Sequence, residues 1–252
     1  NKVNLDGDFA VTITDTPTNA QLEIIDAATT GIISYGSDND VTVTDRSVTA
    51  SYLKTLDRDT TGTVNASAVT MITGTASEIK TVYASSGISG LGNEEITLSA
   101  GSVAAADLNI INAATSGLVT ATNITAITGT ALAVKAVIDA EADTGNAINL
   151  DTDFMVAITP AGTAAAADLN ALSAKTTGNI TATSVTTLTG TVSEIATLIA
   201  DEVEAGNGVN LDGDFTVTVD AGTAAAADLN TIDAATTGLI TATGVTALTG
   251  TA

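Results

Sequence analysis

The sequence predicts an α/β repeat solenoid. Short parallel strands form about nine rungs, in strand–helix modules of about 29 residues, with helices covering one face. Three observations predict it. The first is a long repeat: Asp107–Gly117 (DLNIINAATSG), Asp168–Gly178 (DLNALSAKTTG) and Asp228–Gly238 (DLNTIDAATTG) recur two modules apart, with weaker copies at Gln21–Gly31 and Tyr52–Gly62. The second is a shorter one. A Val/Ile-Thr-x tripeptide begins at Val11, Val41, Val69, Ile96, Ile124, Val185, Val217 and Val245, with Val156 filling the one gap, so that one rung falls in each module. The third is a set of helix-start signals that follow these tripeptides.

The elements follow in order. VTIT at Val11–Thr14, VTVT at Val41–Thr44 and FTVTV at Phe215–Val219 alternate apolar residues with Thr, the period of a strand with one buried face. Thr18/Gln21, Thr75/Glu78 and Thr191/Glu194 have capping-box spacing, in which each side chain satisfies a free backbone amide of the first helical turn. Ile79 with Val82, Ile195 with Leu198 and Ile199, and Leu229 with Ile232 then recur at helical spacing. Gly31, Gly62, Gly117, Gly178 and Gly238 are expected to end the helices in a left-handed cap. A wider coil, with two strands and two helices in each double module, is the alternative architecture. Residues 1–252 read as one continuous array, irregular over about 1–62 and regular over about 63–252.

Composition excludes several functions. There is no Cys and no His, which removes disulfides, thiolate nucleophiles, zinc sites and imidazole acid–base chemistry. Twenty-nine acidic residues against seven basic give a net charge of −22, the wrong sign for nucleic acid. No apolar run reaches the roughly 18 residues of a membrane span. No general base accompanies any one of the many Ser and Thr hydroxyls, so the chain does not read as an enzyme.

Two residue sets could bind. Asn4, Asp6 and Asp8, Asn149, Asp151 and Asp153, and Asn210, Asp212 and Asp214 place oxygen side chains at alternate positions. That pattern suits calcium, and it equally suits ordinary Asx turns before a strand. Thr12, Thr42, Thr70, Thr97, Thr125, Thr186, Thr218 and Thr246 are expected to stack as one column on the strand face opposite the helices. Such a column is either a binding face, for ice or carbohydrate, or the ordinary solvated face of a Thr-rich sheet.

The phrase DLNTIDAATTGLITATGVTALTGTA at Asp228–Ala252, with its copies from Asp107 and Asp168, resembles the tandem repeats of giant bacterial surface and secreted proteins, the adhesin-like proteins of cyanobacteria and other aquatic bacteria. The resemblance implies an extracellular or cell-surface setting, often with calcium, and a structural role as part of a fibre, stalk or layer. Asn1 aligns with Asn207 and Ala252 with Val192, inside a repeat at both ends. The expected partner is therefore the chain itself, or further copies of the repeat, head to tail.

Overall fold

The computed structural model describes residues 11–13, 21, 24, 25, 28, 33–35, 40–141, 147–202 and 208–250. The chain is α/β, with parallel strands and helices alternating along it. It divides into two compact units. Unit 1 comprises Asn1–Ser99, Ile110–Thr122 and Thr144–Asn149, and unit 2 comprises Ala100–Asn109, Asn123–Asp143 and Leu150–Ala252.

In chain order the first elements are β1 (Val11–Ile13), β2 (Ile33–Tyr35), β3 (Val41–Thr42), β4 (Ser47–Thr49), α1 (Ala50–Asp59), β5 (Val64–Asn65) and β6 (Met71–Gly74). Next come α2 (Ala76–Ala84), β7 (Ile88–Ser89), β8 (Glu95–Leu98), β9 (Gly101–Ala104), α3 (Ala105–Ala114), β10 (Val119–Ala121), β11 (Ile124–Gly129) and α4 (Ala131–Glu141). They are followed by β12 (Ile148–Leu150), β13 (Met155–Ile158), β14 (Gly162–Ala165), α5 (Ala166–Ser173), β15 (Ile180–Ala182) and β16 (Val185–Gly190). The last are α6 (Val192–Glu202), β17 (Val209–Leu211), β18 (Thr216–Val219), β19 (Gly222–Ala225), α7 (Ala226–Ala235), β20 (Ile240–Thr241) and β21 (Val245–Thr249).

Unit 1 holds the sheets β1-β2, β3-β5-β7 and β12-β10-β8-β6-β4, and unit 2 holds β17-β15-β13-β11-β9, β14-β16-β18-β20 and β19-β21. Partners lie one module apart: Met71 faces Glu95, Val156 faces Ile180, and Ala126 faces Met155 across a longer stretch. The expected single sheet of nine rungs does not form, because Thr97 lies in β8 and Thr125 in β11, which belong to different sheets. The physical reason is an extra strand. Before α3, α5 and α7 the chain adds GSVA, GTAA and GTAA, and these strands, β9, β14 and β19, each stand at the edge of a sheet. Ala and Gly are poor strand formers, so sequence periodicity passes over them.

Each five-stranded sheet buries one aliphatic row. In unit 1 the row is Val48, Ile72, Ile96, Val119 and Ile148, and in unit 2 it is Val103, Ile127, Val156, Ile180 and Val209, all buried. Helices supply the covering layer. Val134, Val137 and Ile138 of α4 and Ile195, Leu198 and Ile199 of α6 are buried at helical spacing. Full burial of one such side chain contributes about 1.5–3 kcal/mol. Close packing requires small residues where a strand meets a helix start. A Cβ on Gly129, whose φ is +154°, would stand 3.2 Å from the Ala105 Cβ.

Both described capping boxes form. The Thr75 and Thr191 hydroxyls each accept the amide of Glu78 and Glu194, whose carboxylates accept the Thr amides in return at 3.1 and 2.9 Å. Thr18 lies outside the described residues. The expected left-handed glycine caps do not occur: Gly62, Gly117, Gly178 and Gly238 are not among the glycines with positive φ. Gly31 lies outside the described residues.

Candidate functional site

The segments that end in these glycines perform a different task, and three of them, Thr115-Ser-Gly117, Thr176-Thr-Gly178 and Thr236-Thr-Gly238, perform it alike. After α3, the Thr115 hydroxyl accepts the Gly117 amide at 3.0 Å and donates to the carbonyl of Glu94, in the preceding module, at 2.7 Å. After α5, Thr176 accepts from Gly178 at 3.0 Å and donates to the Phe154 carbonyl at 2.5 Å. After α7, Thr236 accepts from Gly238 at 3.0 Å and donates to the Phe215 carbonyl at 2.5 Å. The next residue adds a second tie. Backbone amides of Ser116, Thr177 and Thr237 donate to the carbonyls of Gly92, Thr152 and Gly213 at 2.9, 2.7 and 2.9 Å. The glycine is needed for closeness, not for its φ. A Cβ on Gly178 would fall 2.3 Å from the Phe154 carbonyl oxygen, and Gly117 and Gly238 meet Glu94 and Phe215 in the same way.

The hydroxyls of this staple are nearly dry: Thr115, Thr176 and Thr236 are 3%, 2% and 9% exposed. Each is used as both donor and acceptor, which is what burial of a hydroxyl demands. A parallel tie joins two helix pairs, α3 to α4 and α5 to α6. Asn109 and Asn170, the Asn of two of the three DLN segments, donate through Nδ2 to the carbonyls of Ala133 and Glu194, both in the next helix, at 3.0 and 2.9 Å. Ser173 Oγ likewise donates to Asp201 at 2.6 Å.

Beneath the staple sits a plug. Phe154 and Phe215 are 2% and 1% exposed, and the Glu94 side chain takes their place in unit 1 with 0% exposure. Its carboxylate accepts the Tyr83 hydroxyl at 2.9 Å and the Gly92 amide at 2.9 and 2.8 Å. Burial first, and then the Glu94 charge, pushes the Tyr83 phenol well above its ordinary range. Tyr52, buried in α1, is pushed up to about 12 by desolvation and by Asp45.

The acidic turns are part of this arrangement. Asn149, Asp151 and Asp153 are exposed, as are Asn210, Asp212 and Asp214; Asn4, Asp6 and Asp8 lie outside the described residues. Asp151 and Asp212 each accept the amide of the following residue, from Thr152 at 2.7 Å and Gly213 at 2.9 Å. Among the described residues no group of three or more acidic side chains gathers at one point. Calcium takes six to eight oxygens. Each described turn offers two exposed carboxylates and one Asn side chain, fewer groups than a calcium cage takes, so these residues alone do not complete one.

The eight sequence-selected threonines are not brought into one column. Thr12 lies in β1, Thr42 in β3, Thr70 just before β6, Thr97 in β8, Thr125 in β11, Thr186 in β16, Thr218 in β18 and Thr246 in β21. Thr125, Thr186 and Thr246 are the residues skipped by the register in β11, β16 and β21, which makes them the extra residues of β-bulges. Their environment explains the Thr: the Thr186 and Thr246 hydroxyls donate to the carbonyls of Gly162 and Gly222 at 3.4 and 3.3 Å, and Thr70 donates to the Arg46 carbonyl at 3.1 Å. True Thr ladders run elsewhere. One joins Thr49, Thr73, Thr97 and Thr120 across four strands, and another joins Thr189, Thr218 and Thr241.

Sequence reasoning missed Thr115, Thr176, Thr236, Asn109 and Asn170 as ties. The repeated TTG and DLN letters carried the signal. Comparison with protein-family models, with curated proteins and with solved structures gives no match in any of the three.

Proposed function

We propose that the chain is a structural extracellular repeat protein, a segment of a surface fibre, stalk or layer whose modules stack as an α/β solenoid. The staple carries this reading. Three copies of one buried hydroxyl tie their own module to a carbonyl of the module before it, at Glu94, Phe154 and Phe215. Modules are thereby joined to their neighbours by the same bonds, the nearest-neighbour cooperativity from which a rod is made. The net charge of −22 keeps such a rod soluble in salty water. Its partners are further copies of the same repeat. No helix among the described residues is long and apolar enough to cross a membrane. Immunogold labelling of the source cells tests the reading: label on surface filaments or layers is expected, and label confined to the cell interior overturns it.

A second reading has the Thr ladders as a face that binds ice. It rests on the regular row Thr49, Thr73, Thr97 and Thr120, with strands about 4.8 Å apart. Thermal hysteresis decides it; freezing that the protein leaves unaltered removes it.

A further inference from the structure

We infer that Asp212–Gly213 is a site of spontaneous backbone modification, passing through a succinimide to isoaspartate, with Asp151–Thr152 as its internal control. Asp212 and Gly213 are both exposed, and the Asp212 Oδ1 lies 2.9 Å from the Gly213 nitrogen. That contact keeps the Asp212 carboxyl beside the backbone nitrogen whose attack on Cγ closes a five-membered ring, a proximity that favours the intramolecular step. Apart from its chain neighbours, nothing lies within 4 Å of the position a Cβ would take at Gly213, so the side of the residue where a side chain would stand is open. The same turn one repeat earlier has the same contact, Asp151 Oδ1 to Thr152 N at 2.7 Å, but there a β-branched side chain flanks the nitrogen.

In the first step the Gly213 nitrogen attacks Cγ of the protonated Asp212 carboxyl. An N–Cγ bond forms, and the carboxyl OH leaves as water with the amide proton. Water then opens the ring. Addition at Cγ restores Asp212; addition at the backbone carbonyl leaves isoaspartate, with the main chain lengthened through Cβ and Cγ. No oxidant or reductant is involved, and the mass is unchanged. The consequence falls on the staple, because the Gly213 carbonyl accepts the Thr237 amide at 2.9 Å and the Thr237 and Thr236 hydroxyls at 3.2 and 3.4 Å.

The test incubates the full chain for weeks in mildly acidic buffer at body temperature. Isoaspartate is then located by methyltransferase labelling and fragment-resolved mass spectrometry. At least about tenfold more is expected at Asp212 than at Asp151, a barrier difference of one decade in rate. Gly213→Thr should abolish it and Thr152→Gly should install it at Asp151. Gly213 has neither a positive φ nor a crowded Cβ position, so the first variant is expected to fold, which circular dichroism checks. Hydrogen exchange at the Thr237 amide should rise with the fraction modified. Equal yields at the two turns, or none at Asp212, overturn the inference. Asp6–Gly7 falls in a different peptide, and a product of Asn207 is told apart by its mass gain.

Discussion

Glu94 in unit 1 and Phe154 in unit 2 occupy the same place in the repeat, under the same Thr-to-carbonyl staple, yet one is a carboxylate and the other a benzyl ring. Both are buried, at 0% and 2% exposure. Phe154 is buried with no polar side-chain atom to satisfy. Glu94 survives burial because Tyr83 and Gly92 each bring a donor to it. The difference teaches that the staple, not the plug, is the invariant of the module. A plug of either chemistry works when its own requirement is met: filled volume for Phe, satisfied oxygens for Glu.

The largest expected effect comes from emptying the apolar plug. Phe154→Ala should cost about 3–5 kcal/mol in urea unfolding, the range for a buried Phe. A loss below about 1 kcal/mol would show that the site collapses around the missing ring. Tyr83→Phe should come next. It removes one donor from a buried carboxylate and should cost about 1–3 kcal/mol, and adding Glu94→Phe to the same chain should restore most of that loss. Failure of the double variant to recover would show that the unit 1 site is shaped for Glu and not merely tolerant of it.

Breaking the staple under an intact plug sharpens the contrast. Thr176→Val keeps the volume but strips the Phe154 carbonyl and the Gly178 amide of their partner, with an expected cost of about 1–3 kcal/mol. Thr115→Val should cost a similar amount despite its different plug; a much smaller loss at Thr115 would mean that the two staples are not equivalent. Loss of the α2 cap by Thr75→Ala should cost about 1 kcal/mol. It should also make stability less sensitive to acid. Hydrogen bonds from Thr75 hold Glu78 below its ordinary 4.5, so that stability is present above the ordinary carboxylate range and disappears as pH falls through the lowered value.

The smallest effect concerns Glu202 at the end of α6. Burial raises its carboxyl above the ordinary 4.5, opposed by the Leu211 amide. A raised acid favours folding in its protonated form, so its contribution is present below the ordinary value and is lost as pH rises through the raised one. Glu202→Gln should therefore raise the melting temperature slightly at neutral pH and leave it unchanged in acid. A gain of equal size at both pH values would point to a cause other than charge.

Much of the local structure was legible. Thr75/Glu78 and Thr191/Glu194 form capping boxes as their spacing predicts, because a cap is decided within a single helical turn. The buried stripes of α2 and α6 follow from helical spacing for the same reason. Strand count was less legible. Gly162–Ala165 pairs with Val185–Thr189 although Gly-Thr-Ala-Ala has little strand propensity, and its pairing partner rather than its own letters makes it a strand.

The sequence by itself determined that the molecule is a repeat of parallel strands and short helices, because period, caps and alternation are properties of neighbouring residues. Tertiary structure alone decided the rest. Thr125 and Thr186 look like members of a column, but register makes them bulge residues, and register is set by a strand of the preceding module, β9 for one and β14 for the other. Gly178 looks like a helix cap, but the carbonyl of Phe154 crowds the place where its side chain would be. A contact between modules leaves only repetition in the sequence, and repetition alone does not say which atoms meet.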